Sequence, residues 1–180
     1  VDRIVRGPSP TPVSMVLVKP DGKRALINYK GETKALTPDA VNEYKLNAKV
    51  ILFDGHEPHI SISIAKAAKA KGVLTVLDAG SVHEGTLALM PLVDYLVCSE
   101  KFANQLHGNN DNALSRLAEF SPNVIITLGG SGLIWRKMDE KGTLPAFSVN
   151  VVDTTGAGDA FHGAFAAGLA LGMHWNDLLN

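Results

Sequence analysis

The sequence is poor in what would mark several classes of protein. It has one cysteine, Cys98, in 180 residues. That excludes an internal disulfide, leaves no second thiol for a metal site, and points to a reducing, cytoplasmic setting. Neither charge is in surplus: 17 Lys and Arg against 18 Asp and Glu give a net charge of −1. Nothing therefore announces a nucleic-acid or anionic-membrane partner, and any bound phosphate must be handled locally. The longest apolar run, Gly163 to Met173, is far too short to span a bilayer. Pro8, Pro10 and Pro12, with charged neighbours, deny the opening residues the apolar core of a signal peptide. Internal repeats and low-complexity tracts are also missing. What remains is 46% hydrophobic and 19% charged, the balance of one globular domain or part of one.

Two β-prone runs open the chain, Val13 to Lys19 and Arg24 to Tyr29, and Pro20-Asp21-Gly22-Lys23 between them favours a tight turn. The proline-alternating segment Arg6 to Pro12 reads as an extended connection. Thr37 and Pro38 then read as an N-cap and first helical residue, and from there the text turns to alternating helices and apolar strands. Strands are expected at Lys49–Phe53, Val73–Leu77, Tyr95–Val97 and Val124–Leu128. Helices are expected at Ile60–Lys71, Glu84–Leu92, Glu100–His107 and Asp111–Phe120. Strands that are apolar on both sides imply a parallel sheet covered by helices on both faces. A second hairpin, Leu133–Lys137 and Ala146–Val152 across Met138 to Gly142, should lead into a long helix over Ala157–Leu171. The expected organisation is a hairpin segment over 1–36 and an α/β core over 37–180.

In such a sheet ligands gather at the carboxyl ends of the strands. The densest signal there is Asp153-Thr154-Thr155-Gly156-Ala157-Gly158-Asp159-Ala160-Phe161. Its small residues let the N–H groups of Gly156, Ala157 and Gly158 approach an anion at a helix N-terminus, where free donors and the dipole favour negative charge. Asp159, in the first turn, stays ionised there and can accept a proton from an attacking hydroxyl. One segment thus holds both a charge stabiliser and a base.

This string matches the C-terminal signature of the PfkB, or ribokinase-like, carbohydrate kinases without a mismatch, and the chain resembles that family over nearly its whole length. The other pieces follow the family's order: a lid-like hairpin, βα units, Thr127-Leu128-Gly129-Gly130-Ser131-Gly132, then a hairpin running into the signature. The resemblance implies a ribokinase-like three-layer α/β/α sandwich with a small β-hairpin lid, present here as a portion of the family domain. It implies ATP and Mg²⁺, with Asp159 as the base that deprotonates a sugar hydroxyl and Gly156, Ala157 and Gly158 as the anion hole. Asp153 and Thr155 match positions that help hold a monovalent cation such as K⁺. Thr127, Gly129 and Gly132 fall in the nucleotide loop. Asp54 and His56 fall in the loop that contributes to the sugar side of the cleft, although solvated loop residues would read the same way. The family's lid also implies a homodimer, and the motif text looks most like the sugar kinases near fructokinase, ketohexokinase and sulfofructose kinase.

The sequence departs from the family at Ser99-Glu100-Lys101-Phe102, where many members carry Asn-x-x-Glu. Ser99 replaces the Asn and Phe102 the Glu, which leaves the Mg²⁺-organising group unassigned, with Glu100 as the substitute and helix capping as the competing role. Asp78 either borders the nucleotide phosphates or caps a turn. His83, His107, His162 and His174 read as partnerless and receive no chemistry. A catalytically silent nucleotide- or sugar-binding protein and a nucleoside kinase remain as rival readings. A dinucleotide-dependent oxidoreductase does not, because Gly156-Ala157-Gly158-Asp159 lacks the G-x-G-x-x-G text.

Overall fold

The structure is a computed structural model that describes residues 4–19, 24–38, 47–108 and 110–180. The Pro20–Lys23 turn and the helix expected after Pro38 lie outside the described residues.

The first two strands, β1 (Val13–Val18) and β2 (Arg24–Tyr29), form a two-stranded antiparallel sheet of their own, with Val13 opposite Tyr29 and Val18 opposite Arg24. Apolar side chains stand exposed along both strands, among them Met15, Leu17, Leu26 and Ile27. The extended approach is tied to the end of the hairpin by the Thr33 hydroxyl, which donates to the Pro10 carbonyl at 3.0 Å.

The core is one six-stranded sheet in the order β3-β4-β5-β6-β7-β8. Strands β3 (Val50–Phe53), β4 (Leu74–Ala79), β5 (Tyr95–Ser99) and β6 (Asn123–Thr127) run parallel, as their apolar runs predict. Strands β7 (Leu133–Lys137) and β8 (Glu140–Leu144) extend the sheet antiparallel. Helices α1 (Pro58–Ala70), α2 (Glu84–Leu89), α3 (Glu100–His107) and α4 (Asn110–Leu117) cover one face. Helices α5 (Ala157–Leu171) and α6 (Trp175–Leu179) cover the other. Because strand side chains alternate, Leu77, Leu96 and Val124 join the first core and Val76, Val97 and Ile125 the second. Among the described residues no helix is long and apolar enough to cross a membrane.

The second hairpin departs from the expectation. Its return strand is β8, Glu140–Leu144, whereas 146–152 forms no strand and leaves Phe147, Val149, Val151 and Val152 exposed. The turn is tight, with Lys137 opposite Glu140 and Met138 at a φ of 54°. The charges of Glu140 and Lys141, which read as turn, therefore decorate an exposed edge strand, where charge is well tolerated. Gly132 closes the start of this hairpin: its φ is +93°, and a Cβ there would collide with the Leu144 carbonyl oxygen.

Candidate active site

Alternation also decides which polar groups face α5. In β4, Asp78 follows Val76 on the α5 side, and in β5 and β6, Ser99 and Thr127 follow Val97 and Ile125. Register aligns them: Asp78 lies opposite Val97, and Ser99 opposite Thr127. Phe53 lies opposite Leu77, so Asp54, one residue past β3, falls beside Asp78. The strand ends thus present a row of side-chain oxygens to the start of the signature helix.

A close backbone approach sets one wall. A Cβ on Gly85, in the first turn of α2, would collide with the Gly55 carbonyl oxygen, and Gly55 itself has a φ of +78°. Only glycine at these two places lets α2 sit against the loop after β3. That contact stacks His83, the N-cap of α2, on His56 with ring centroids 5.2 Å apart. The His83 backbone N–H donates to the Thr86 hydroxyl at 3.1 Å, and the ring's pKa lies below the ordinary histidine value, mainly through burial and then through the neighbouring His56.

The opposite wall is the N-terminus of α5. Gly156 caps it in the left-handed region at a φ of 78°. Before it, Asp153 Oδ1 accepts from both the N–H and the hydroxyl of Thr155, each at 2.8 Å. The Ala157 N–H is already bonded to the Thr154 carbonyl at 3.1 Å, and among the described residues no backbone carbonyl accepts from Gly158 or Asp159. The exposed Asp159 carboxylate turns back over the cap, its Oδ2 3.9 Å from where a Gly156 Cβ would stand.

Between these walls lie two adjoining clefts of about 460 and 350 Å³ that share Asp54, Asp78, Asp159 and His162. The larger also collects His56, His83, Ser99, Lys101, Thr127, Gly156 and Gly158. Donors therefore line the side toward β5 and β6, and carboxylates the side toward β3. Asp78 is pushed above the ordinary carboxylate range by burial and, more weakly, by Asp159 and Asp54, while His162 draws it back.

Other expected residues fall differently. Ser99 caps α3, accepting from the Phe102 N–H at 3.1 Å and donating to the Gly80 carbonyl at 2.8 Å. Phe102 is fully buried in the first core, so its position offers the cleft no polar group. The Thr127 hydroxyl donates to the Cys98 carbonyl at 3.3 Å while lining the cleft. Gly129 and Gly132 shape the turn between β6 and β7 and do not line either cleft.

Two histidines read as partnerless are not so. His83 stacks on His56. His162 is buried and bonded at both ring nitrogens. The available signal was its place in an otherwise apolar helix, four residues after Gly158 and three after Asp159, which is one face of a helix.

The chain matches the family model described as "pfkB family carbohydrate kinase" over residues 1–180. It is 29% identical over 175 residues to a ribokinase from Lactococcus lactis subsp. lactis, an alignment covering 94% of this chain and 57% of the relative. Among solved structures it resembles a ribokinase from Thermotoga maritima with a TM-score of 0.81 at 26% identity, covering 94% of this chain and 60% of that one. It also resembles an Arabidopsis thaliana ribokinase complexed with ribose and ATP, with a TM-score of 0.74 at 26% identity over 94% of this chain and 60% of that one. The chain thus spans somewhat more than half the length of these relatives. A signature string at the start of α5, a mixed sheet that superposes on the ribokinases, and a family match from end to end agree that this chain belongs to the pfkB family of carbohydrate kinases.

Proposed function

We propose that this chain is the catalytic portion of a kinase that transfers the γ-phosphate of ATP to a hydroxyl of a sugar or sugar acid. The observation that carries the reading is the Asp159 carboxylate standing at the open N-terminus of α5, over a cleft with carboxylates on one side and donors on the other. Asp159 takes the proton from the acceptor hydroxyl. That oxygen bonds to the γ-phosphorus as the bond to the β-phosphate breaks, and ADP leaves. The N–H groups of Gly156 and Gly158, aided by the helix dipole, bear the charge on the transferred group, with Ala157 shaping the turn through its bond to Thr154. Ser99, Lys101 and Thr127 border the path of the polyphosphate, and Asp54 and His56 meet the acceptor.

Among the described residues no cluster of three or more His, Cys, Asp or Glu could hold a metal. Mg²⁺ fits this site as an ion bound chiefly by nucleotide phosphates and water, where it would neutralise phosphate charge. Asp153 and Thr155 are the candidate holders of a K⁺ ion beside the cap. The exposed apolar residues of β1 and β2 support a homodimer formed through the hairpin, which sedimentation of the protein at graded concentrations would test.

A second reading is a catalytically silent binding protein, favoured by the buried Phe102 and by a Ser99 hydroxyl already engaged in a cap. The deciding experiment is ADP release from MgATP in the full-length protein across ketoses, aldoses, sugar acids and nucleosides, with Asp159→Asn as control. Turnover that disappears in the variant supports the kinase and names its acceptor class. ATP binding without turnover on any acceptor supports the silent binder.

A further inference from the structure

His162 is 4% exposed, and every oxygen around its ring is placed to accept. Nδ1 lies 2.6 Å from the Gly158 carbonyl oxygen and 3.3 Å from Asp78 Oδ2. Nε2 lies 3.2 Å from the Val97 carbonyl oxygen. A neutral imidazole has one N–H and one bare lone pair. With the proton on Nδ1, the lone pair of Nε2 faces the Val97 carbonyl. With the proton on Nε2, the lone pair of Nδ1 faces the Gly158 carbonyl at closest range. Either tautomer opposes lone pairs in a buried place, where an unmade hydrogen bond is costly. The imidazolium alone donates at both ends, and the Asp78 carboxylate stands ready as its counter-charge.

We propose that His162 is held as an imidazolium paired with Asp78, and that this cation is the positioning residue that fixes the catalytic turn of α5 against β4 and β5. The inference rests on the kinase reading and deepens it. The link to chemistry is one peptide group: the Gly158 carbonyl and the Asp159 N–H belong to the same rigid plane and point in opposite directions. Anchoring the carbonyl from His162 turns the Asp159 N–H out of the helix end toward the cleft, and a cation on the carbonyl oxygen polarises that N–H as a donor. The same turn carries the Asp159 carboxylate. Charge gives a second reason. Among the described residues, Asp54 and His56 from the loop after β3 and Asp159 from α5 act on Asp78 of β4 alongside His162, while His83 and Lys101 line the same cleft. An unpaired Asp78 would add a third negative charge where an anionic phosphoryl group must enter.

The test begins with ¹⁵N NMR of the imidazole nitrogens in the full-length wild-type protein, which needs neither a variant nor turnover. Both nitrogens of His162 should be protonated at neutral pH, and Asp78→Asn should move the loss of that proton to lower pH. A neutral tautomer at neutral pH would overturn the proposal. In His162→Gln the Asp78 carboxyl, relieved of its cation, should titrate at higher pH than in wild type. In kinetics the same variant should lose up to about 100-fold in kcat with little change in KM, and should lack the alkaline limb that deprotonation of the pair gives the wild-type profile. Wild-type kcat and an unaltered pH profile in His162→Gln would refute the positioning role, even with an imidazolium seen by NMR. If that variant fails to fold, the isosteric Asp78→Asn takes its place in the same comparison. Absence of turnover in the wild type on every acceptor would instead count against the kinase reading, while the NMR result still decides the charge state.

Discussion

The two faces of the sheet are built from the same strands yet hold different things. Toward α1–α4, Leu77, Leu96, Phe102, Val124 and Ile126 are fully buried among aliphatic neighbours. Cys98, also buried there, has its thiol pushed far above its ordinary range by desolvation. Toward α5, aromatic rings meet edge to face, Tyr95 on Phe165 at 5.6 Å and Trp135 on Trp175 at 5.4 Å. That packing then gives way, at the carboxyl ends of the strands, to Asp54, Asp78, Asp159 and His162. Neighbours in sequence part company accordingly: Phe53 is 6% exposed on the first face, and Leu52 is 40% exposed at the cleft on the second. Period-two alternation thus sorts stability to one side and chemistry to the other, and the sheet itself is the partition.

The sharpest break between the faces should come from Asp159. Its carboxylate is exposed, so Asp159→Asn should lower kcat by about 10²–10⁴-fold and leave the melting temperature within error of wild type. A comparable fall in melting temperature would mean that the cap, and not the base, had been lost. Phe102 should behave in the opposite way. Truncating this fully buried ring to alanine removes apolar area and leaves a cavity, at a cost of about 3–5 kcal/mol in unfolding free energy. Denaturant titration would read that loss, while the kcat per folded molecule should remain that of wild type. A Phe102→Ala enzyme that is stable but slow would show that the first face reaches into the chemistry.

How much of this was legible follows from the same physics. The helix α5 begins and ends where small residues and Gly172 place it, and β7 and α3 fall where the apolar pattern puts them. The row of Asp54, Asp78, Ser99 and Thr127 follows from strand ends and alternation, both of which are local. What escaped is what depends on distant partners. The stretch Ala146–Val152 carries β-prone residues, but the neighbouring edge is taken by Glu140–Leu144, whose polar text hides a strand paired residue by residue with β7. His162 escaped because its partners, Asp78 and Val97, are joined to it only by the fold.

Gly132 tests whether that hidden strand matters to the site. It combines a φ of +93° with a Cβ position filled by the Leu144 backbone. Gly132→Ala should therefore cost at least about 1–3 kcal/mol from the backbone conformation alone, before the clash is counted. The loss belongs to the β7–β8 edge, so hydrogen exchange should rise first in those two strands, with exchange of the Leu96 and Val97 amides in β5 little changed at moderate destabilisation. Early exchange in β5 would tie the hairpin to the catalytic end of the sheet.

Ser99 is the smallest and most exacting case, because it stands where the two faces meet. Its hydroxyl caps α3, a helix of the first face, by accepting from Phe102 N–H, and also donates to the Gly80 carbonyl at the rim of the cleft. Loss of an N-cap oxygen costs about 1 kcal/mol. Ser99→Ala should therefore destabilise modestly, whereas Ser99→Asn should restore the cap, since an Asn side chain accepts from the same N–H. Activity separates the two roles. If Ser99 serves only α3, kcat and the KM for ATP should match wild type in both variants once corrected for the folded fraction. If it also borders the polyphosphate, the KM for ATP should rise in Ser99→Ala even at temperatures where the protein is fully folded, and the division of labour between the faces would then end at this residue.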